Sequence, residues 1–137
     1  MSNLSMLRKQ HTEVFEIMNN IDTLTKKGDL DIIAKDIAYN INALSGKLKM
    51  HLMSEDKFLY PTLVNSNSKD IRNTAQIFYN EMGDVAETFT SFVQKYNVPS
   101  KILQNKETFH MESKKVFTLV MARINKEDSK LYPLLEN

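Results

Sequence analysis

The chemistry in this chain starts from a repeated pair of residues. His51-Leu-Met-Ser-Glu55-Asp56-Lys-Phe-Leu59-Tyr60-Pro61 returns 72 residues later as Arg123-Ile-Asn-Lys-Glu127-Asp128-Ser-Lys-Leu131-Tyr132-Pro133, with Glu, Asp, Leu, Tyr and Pro matching at five positions of an eleven-residue window. Residues four apart stack on one face of a helix, so a His-x-x-x-Glu pair aims an imidazole and a carboxylate at the same point. That donor pair suits iron, manganese or zinc, whereas calcium asks for oxygen on all sides. The second copy opens with Arg123 where the first has His51, so one carboxylate there is accompanied by a cation. With no cysteine in the chain, disulfides, thiolate catalysis and cysteine-ligated clusters are excluded, and any metal must be held by His, carboxylate or Tyr.

Such pairs work only if something brings them together. Breaker residues cluster in three places: Lys26 to Asp29 around Gly28, Pro61 to Asp70 with its Asn-Ser-Asn-Ser run, and Tyr96 to Ser100 around Pro99. Between them lie four segments whose apolar residues recur at alternating spacings of three and four, the pattern of helices facing a shared core. The first has Leu4, Leu7, Val14, Met18 and Ile21 on its seam, with His11 filling the gap. The second leads through Ile37, Ile41, Leu44 and Leu48 to His51 and Glu55. The third puts Ala75, Tyr79, Met82, Ala86 and Phe89 on a stripe widened by Phe78, Val85 and Phe92, and the fourth runs from Phe109 through Val116 and Val120 to Arg123 and Glu127. Short connections between long helices make neighbours antiparallel. The pattern therefore predicts an all-α, up-and-down antiparallel four-helix bundle, in which His11, His51, Glu55, Tyr79, Arg123 and Glu127 converge at one end.

The rest of the composition narrows the classes. A chain of 137 residues fits one domain, 1–137. Eighteen basic against 17 acidic residues leave a net charge of +1, so no electrostatic footprint for nucleic acid or an anionic membrane is present. The first ten residues carry charges where a signal peptide needs an apolar stretch, and no run of 18 apolar residues occurs. The expectation is a soluble cytoplasmic protein. His110, thirteen residues before Arg123, is about 20 Å up its helix and too far to join the cluster. Glu81 points beside the stripe and is expected on the surface. The methionines, Met50, Met53 and Met82 among them, are expected to fill the core, and Tyr60 and Tyr132 to pack the helix ends ahead of their prolines.

An early His, then H-x-x-x-E with a Leu-Tyr-Pro ending, then a second x-x-x-E motif with the same ending resembles the hemerythrin-like HHE cation-binding domain. The resemblance runs from Leu7 to Leu134. It implies two irons sharing two bridging carboxylates, which here would be Glu55 and Glu127. One iron would take His11 and His51. The other would take a third-helix histidine and the first residue of the second motif, which here are Tyr79 and Arg123. The expectation is a half-retained centre: one metal ion, iron by preference with manganese or zinc as alternatives, on His11, His51, Glu55 and Glu127, and the Arg123 guanidinium donating to both carboxylates in the second position. The resemblance also implies dioxygen or nitric oxide as small ligands. Reversible dioxygen binding draws one electron from each of two irons, so the missing histidines argue against an ordinary oxygen carrier. Enzymatic turnover is not demanded by these residues. Two other readings stand beside this one: a metal-free bundle serving as a structural or interaction module, and a di-iron oxygen-binding protein with Tyr79 as an unusual ligand.

Overall fold

The computed structural model describes residues 3–136, so Met1, Ser2 and Asn137 at the ends of the expected domain lie outside the described residues. Four long helices carry the fold: α1 (Asn3–Lys27), α2 (Leu30–Phe58), α4 (Lys69–Tyr96) and α6 (Lys106–Lys126). Their ends follow local chemistry. Lys26 and Lys27 sit in the last turn of α1, where cations oppose the helix dipole, and Asp29 caps α2 by accepting from the Asp31 N–H at 3.0 Å. Ser68 caps α4 through the Ile71 N–H at 3.3 Å.

The segments rich in breakers hold short helices, α3 (Tyr60–Val64) and α5 (Pro99–Gln104), each with proline in its first turn, where the missing N–H costs nothing. After α6 the chain continues through a π-helical turn, Glu127–Leu131, into α7 (Pro133–Glu136). Among the described residues there is no strand, and no helix is long and apolar enough to cross a membrane.

Cross-helix contacts give the directions. Lys47 pairs with Glu13 at 2.9 Å and Gln10 donates to Ser54 at 3.1 Å, so α1 and α2 run antiparallel. Lys95–Glu112 and Lys126–Glu81 do the same for α4 and α6. The expected up-and-down bundle is the one observed.

The core is split in two by a polar layer. One apolar cluster occupies the larger part of the bundle, from Val14 and Leu48 to Phe89 and Phe109. A smaller one, formed by Leu7, Leu59, Tyr60, Leu63, Ala75, Phe78, Leu131 and Tyr132, closes one end. Along α1, His11 lies between Leu7 and Val14; along α2, His51 and Glu55 lie between Leu48 and Leu59. Arg123 and Glu127 complete the layer, and all five are buried.

Two expectations fail on helix phase. The seam of α4 runs Ala75, Phe78, Met82, Val85, Phe89, Phe92, Tyr96, an unbroken alternation of three and four. Tyr79, one residue off that seam, is 52% exposed and sets its ring edge-on against Tyr60. Met50 and Met53 likewise fall beside the Leu48–His51–Glu55 line and are exposed, whereas Met82 is buried.

Candidate metal centre

Two imidazoles define the centre, and their tautomers follow from their partners. His11 Nδ1 is 3.0 Å from Asp128 Oδ1, a carboxylate oxygen that can only accept, so Nδ1 carries the proton and Nε2 keeps a lone pair. His51 Nδ1 is 2.8 Å from Gln10 Oε1, while the other end of that amide donates to Ser54. In the neutral ring Nε2 is here too the nitrogen left with a lone pair. Each histidine is thus oriented by the chain neighbour of another donor: Gln10 precedes His11, and Asp128 follows Glu127. Such second-layer hydrogen bonds fix the ring and strengthen it as a ligand.

Both Nε2 atoms point at the same small space. They are 3.0 Å apart, and Glu127 Oε1 is 3.0 Å from His11 Nε2 and 3.7 Å from His51 Nε2. Glu55 Oε2 is 3.3 Å from His51 Nε2. The four donor atoms of His11, His51, Glu55 and Glu127 all lie within 4.8 Å of one another. Neutral imidazoles cannot satisfy this arrangement, because two lone pairs then face each other beside carboxylate oxygens. A cation can. Atoms bonded to one ion at about 2.0–2.2 Å stand about 3.0 Å apart at right angles and about 3.4 Å apart at tetrahedral angles. The short separations here match the edges of such a polyhedron, so the residues present fit a metal ion.

Electrostatics point the same way. Burial opposes a charge on His51, yet hydrogen bonds to Glu127 and Glu55, together with their charges, outweigh it and raise the imidazole to about 9. Burial pushes the Glu55 carboxyl up, with the Glu127 charge adding to it. Glu127, opposed by the same burial, is held down to about 2 by its contacts with His11 and His51. In the metal-free chain one positive charge is therefore already drawn into the space between the carboxylates.

The second half of the centre differs from the expected arrangement. Arg123, 6% exposed, donates from Nε to Glu127 Oε2 at 3.3 Å, from one terminal nitrogen to Glu81 at 3.4 Å, and from the other to the Phe78 carbonyl at 2.6 Å. It does not bond Glu55, whose Oε1 is buried without a hydrogen-bond partner among the described residues. The Arg123 guanidinium also lies over the Phe78 ring, 4.5 Å from its centre. The α4 residue facing this half is therefore Phe78. Tyr79 does not enter the centre, and its expected place as a substituted ligand fails with it. Glu81, expected on the surface, is half-exposed there but ties Arg123 and Lys126 together. His110 is exposed and away from the cluster.

Sequence reasoning missed three participants. Gln10 and Asp128 orient the imidazoles; adjacency to a donor was the signal for Gln10, and the match with Asp56 in the repeat was a further one for Asp128. Tyr132, expected to pack a helix end, instead puts its hydroxyl inside the cluster, donating to Glu55 Oε2 at 2.8 Å. The π-helical turn moves it there. Residues five apart on an α-helix sit about 140° apart around the axis, but in the wide turn the Tyr132 N–H bonds the Glu127 carbonyl at 2.8 Å and the two side chains share a face.

No curated protein and no solved structure matches the chain. A buried set of imidazole and carboxylate donors on an all-α bundle, with its motif written twice in the sequence, is what a cation-binding bundle requires, and the family model of the hemerythrin HHE cation binding domain matches residues 2–135: the chain belongs to that family.

Proposed function

We propose that this chain, acting as one domain over 1–137, binds a single non-haem metal ion, iron by preference, through His11, His51, Glu55 and Glu127, and uses it to bind or sense iron or a small diatomic ligand. The observation that carries this reading is the convergence of two imidazole nitrogens and two carboxylate oxygens within 4.8 Å in a buried layer. Imidazole with carboxylate favours iron, with manganese and zinc as competitors of similar coordination taste. One ion is proposed because the Arg123 guanidinium stands against Glu127 Oε2, where the resemblance puts a second cation. When bound, iron supplies a redox-active centre with affinity for diatomic ligands. The protein's part is to hold the imidazoles in one tautomer, bring the two carboxylates beside them and exclude water on both sides with apolar clusters. A single iron supplies only one of the two electrons drawn in reversible dioxygen carriage, which makes nitric oxide at a ferrous ion the better-suited ligand.

A second reading is favoured by the proton on His51. A protonated His51 between Glu55 and Glu127, with Arg123 beside them, forms a self-neutralised ionic layer that needs no metal, as a structural or interaction module would have. Metal content separates the two. Protein made in iron-rich medium is expected to carry one iron per chain, lost in His51→Ala. Native protein without stoichiometric metal overturns the metal-binding reading and leaves the ionic layer.

A further inference from the structure

Tyr132 is enclosed completely, and its ring stacks on His11 with centroids 5.1 Å apart and planes 9° from parallel. Its hydroxyl oxygen stands 2.8 Å from Glu55 Oε2, 3.0 Å from His11 Nε2 and 3.3 Å from His51 Nε2. Those separations repeat the ones among the four donors themselves. A tyrosine that merely oriented Glu55 would approach one carboxylate oxygen; this one touches three donor atoms at once. Its counterpart in the first copy of the motif, Tyr60, is also buried, but its hydroxyl meets no hydrogen-bond partner among the described residues. The difference follows from the backbone: α2 ends in an ordinary turn, with the Leu59 N–H on the Glu55 carbonyl at 2.9 Å, and only the second copy has the wide turn.

We propose that Tyr132 is a fifth metal ligand, binding iron as its phenolate when the ion is ferric. The proposal rests on the metal-binding reading above and deepens it. Charge decides the oxidation state. Two neutral imidazoles with the carboxylates of Glu55 and Glu127 balance a ferrous ion, and Tyr132 then keeps its proton in the hydrogen bond to Glu55. A one-electron oxidant that takes the iron to ferric leaves one uncompensated positive charge in a buried layer, which is costly. Breaking the Tyr132 O–H bond as the oxygen–iron bond forms cancels it. The electron goes to the oxidant and the proton to solvent. Arg123 does not enter the balance, because Glu81 supplies a carboxylate on its outer side. A hard anionic oxygen also favours ferric over ferrous iron, so the resting centre would hold ferric iron until reduced.

The test is to load the full chain with ferrous iron without air, oxidise it with ferricyanide, and record visible absorption and resonance Raman spectra. An intense phenolate-to-iron charge-transfer band with tyrosinate vibrations, growing on oxidation, is expected in the native chain. Tyr60→Phe and Tyr79→Phe should keep it, and Tyr132→Phe should lose it while still binding one iron. If Tyr132→Phe fails to hold iron, the Raman modes of the native chain and the two control variants still decide. Bound iron without the band, a band that survives in Tyr132→Phe, or a band lost in Tyr60→Phe or Tyr79→Phe overturns Tyr132 ligation and leaves metal binding standing. Native protein that takes up no iron overturns both.

Discussion

At the scale of single residues, the centre is a competition between a proton and a metal ion for the same lone pair. His51, raised to about 9, holds a proton at neutral pH in the metal-free chain, and a metal must displace it. Apparent affinity should therefore rise about tenfold per pH unit between roughly pH 6 and 8, one proton leaving per ion bound. Titration calorimetry in buffers of different ionisation enthalpy measures that proton directly, and a pH-independent affinity would show that His51 is neutral before metal arrives. The same shift has a stability sign for the metal-free chain. Folding favours protonated His51, so its contribution is complete below pH 6.5 and is lost as pH rises through about 9. The donors His11, His51, Glu55 and Glu127 were legible in the sequence because each is a polar residue on an apolar seam. Asp128, Gln10 and Tyr132 were not, because their positions depend on how the helices meet.

At the scale of elements, one residue of phase decides what each half of the centre contains. Ala75 can be followed on a helical stripe by Phe78 or by Tyr79, and the sequence alone allows a stripe through Tyr79, Met82, Ala86 and Phe89. The strict alternation of three and four through Phe78 to Tyr96 is the better guide, since a seam facing two neighbours keeps that rhythm. It follows that replacing Phe78 and Arg123 together by His should raise bound iron toward two per chain, measured by elemental analysis. Tyr79 and Arg123 together replaced by His should not, because residue 79 looks outward. The reverse result would mean that α4 turns when the second histidine is supplied. The π-helical turn lies beyond any such reading: a period of 3.6 residues assigns Tyr132 to the far side from Glu127, and nothing in Glu-Asp-Ser-Lys-Leu announces an extra residue in the turn. The short helices α3 and α5 hid for another reason, since the prolines that end one helix also start the next.

For the whole molecule, four helices, their order and their directions could all be read from spacing and breakers, because a bundle with short connections has few alternatives. The polar layer is its weak plane: buried charges there replace apolar packing between two clusters, and a buried ionic network adds little stability by itself. A metal bound only by the folded state offsets that. Free ion at about a thousandfold excess over Kd adds about 4 kcal/mol, which for a chain of this size raises Tm by roughly 10–20 °C. Scanning calorimetry with and without ferrous iron, kept free of air, tests this. An unchanged Tm would mean that the folded bundle does not bind the ion.

His11 meets Glu127 and Asp128 across 116 and 117 positions of the chain. Synthesis runs from His11 to Asp128, so while the residues between them are being added the nascent polypeptide holds only half a centre. His11 and His51 can meet in the first hairpin, but the carboxylate that closes the ring arrives last. An ion held by all four donors can therefore be taken up only after Glu127 has been made.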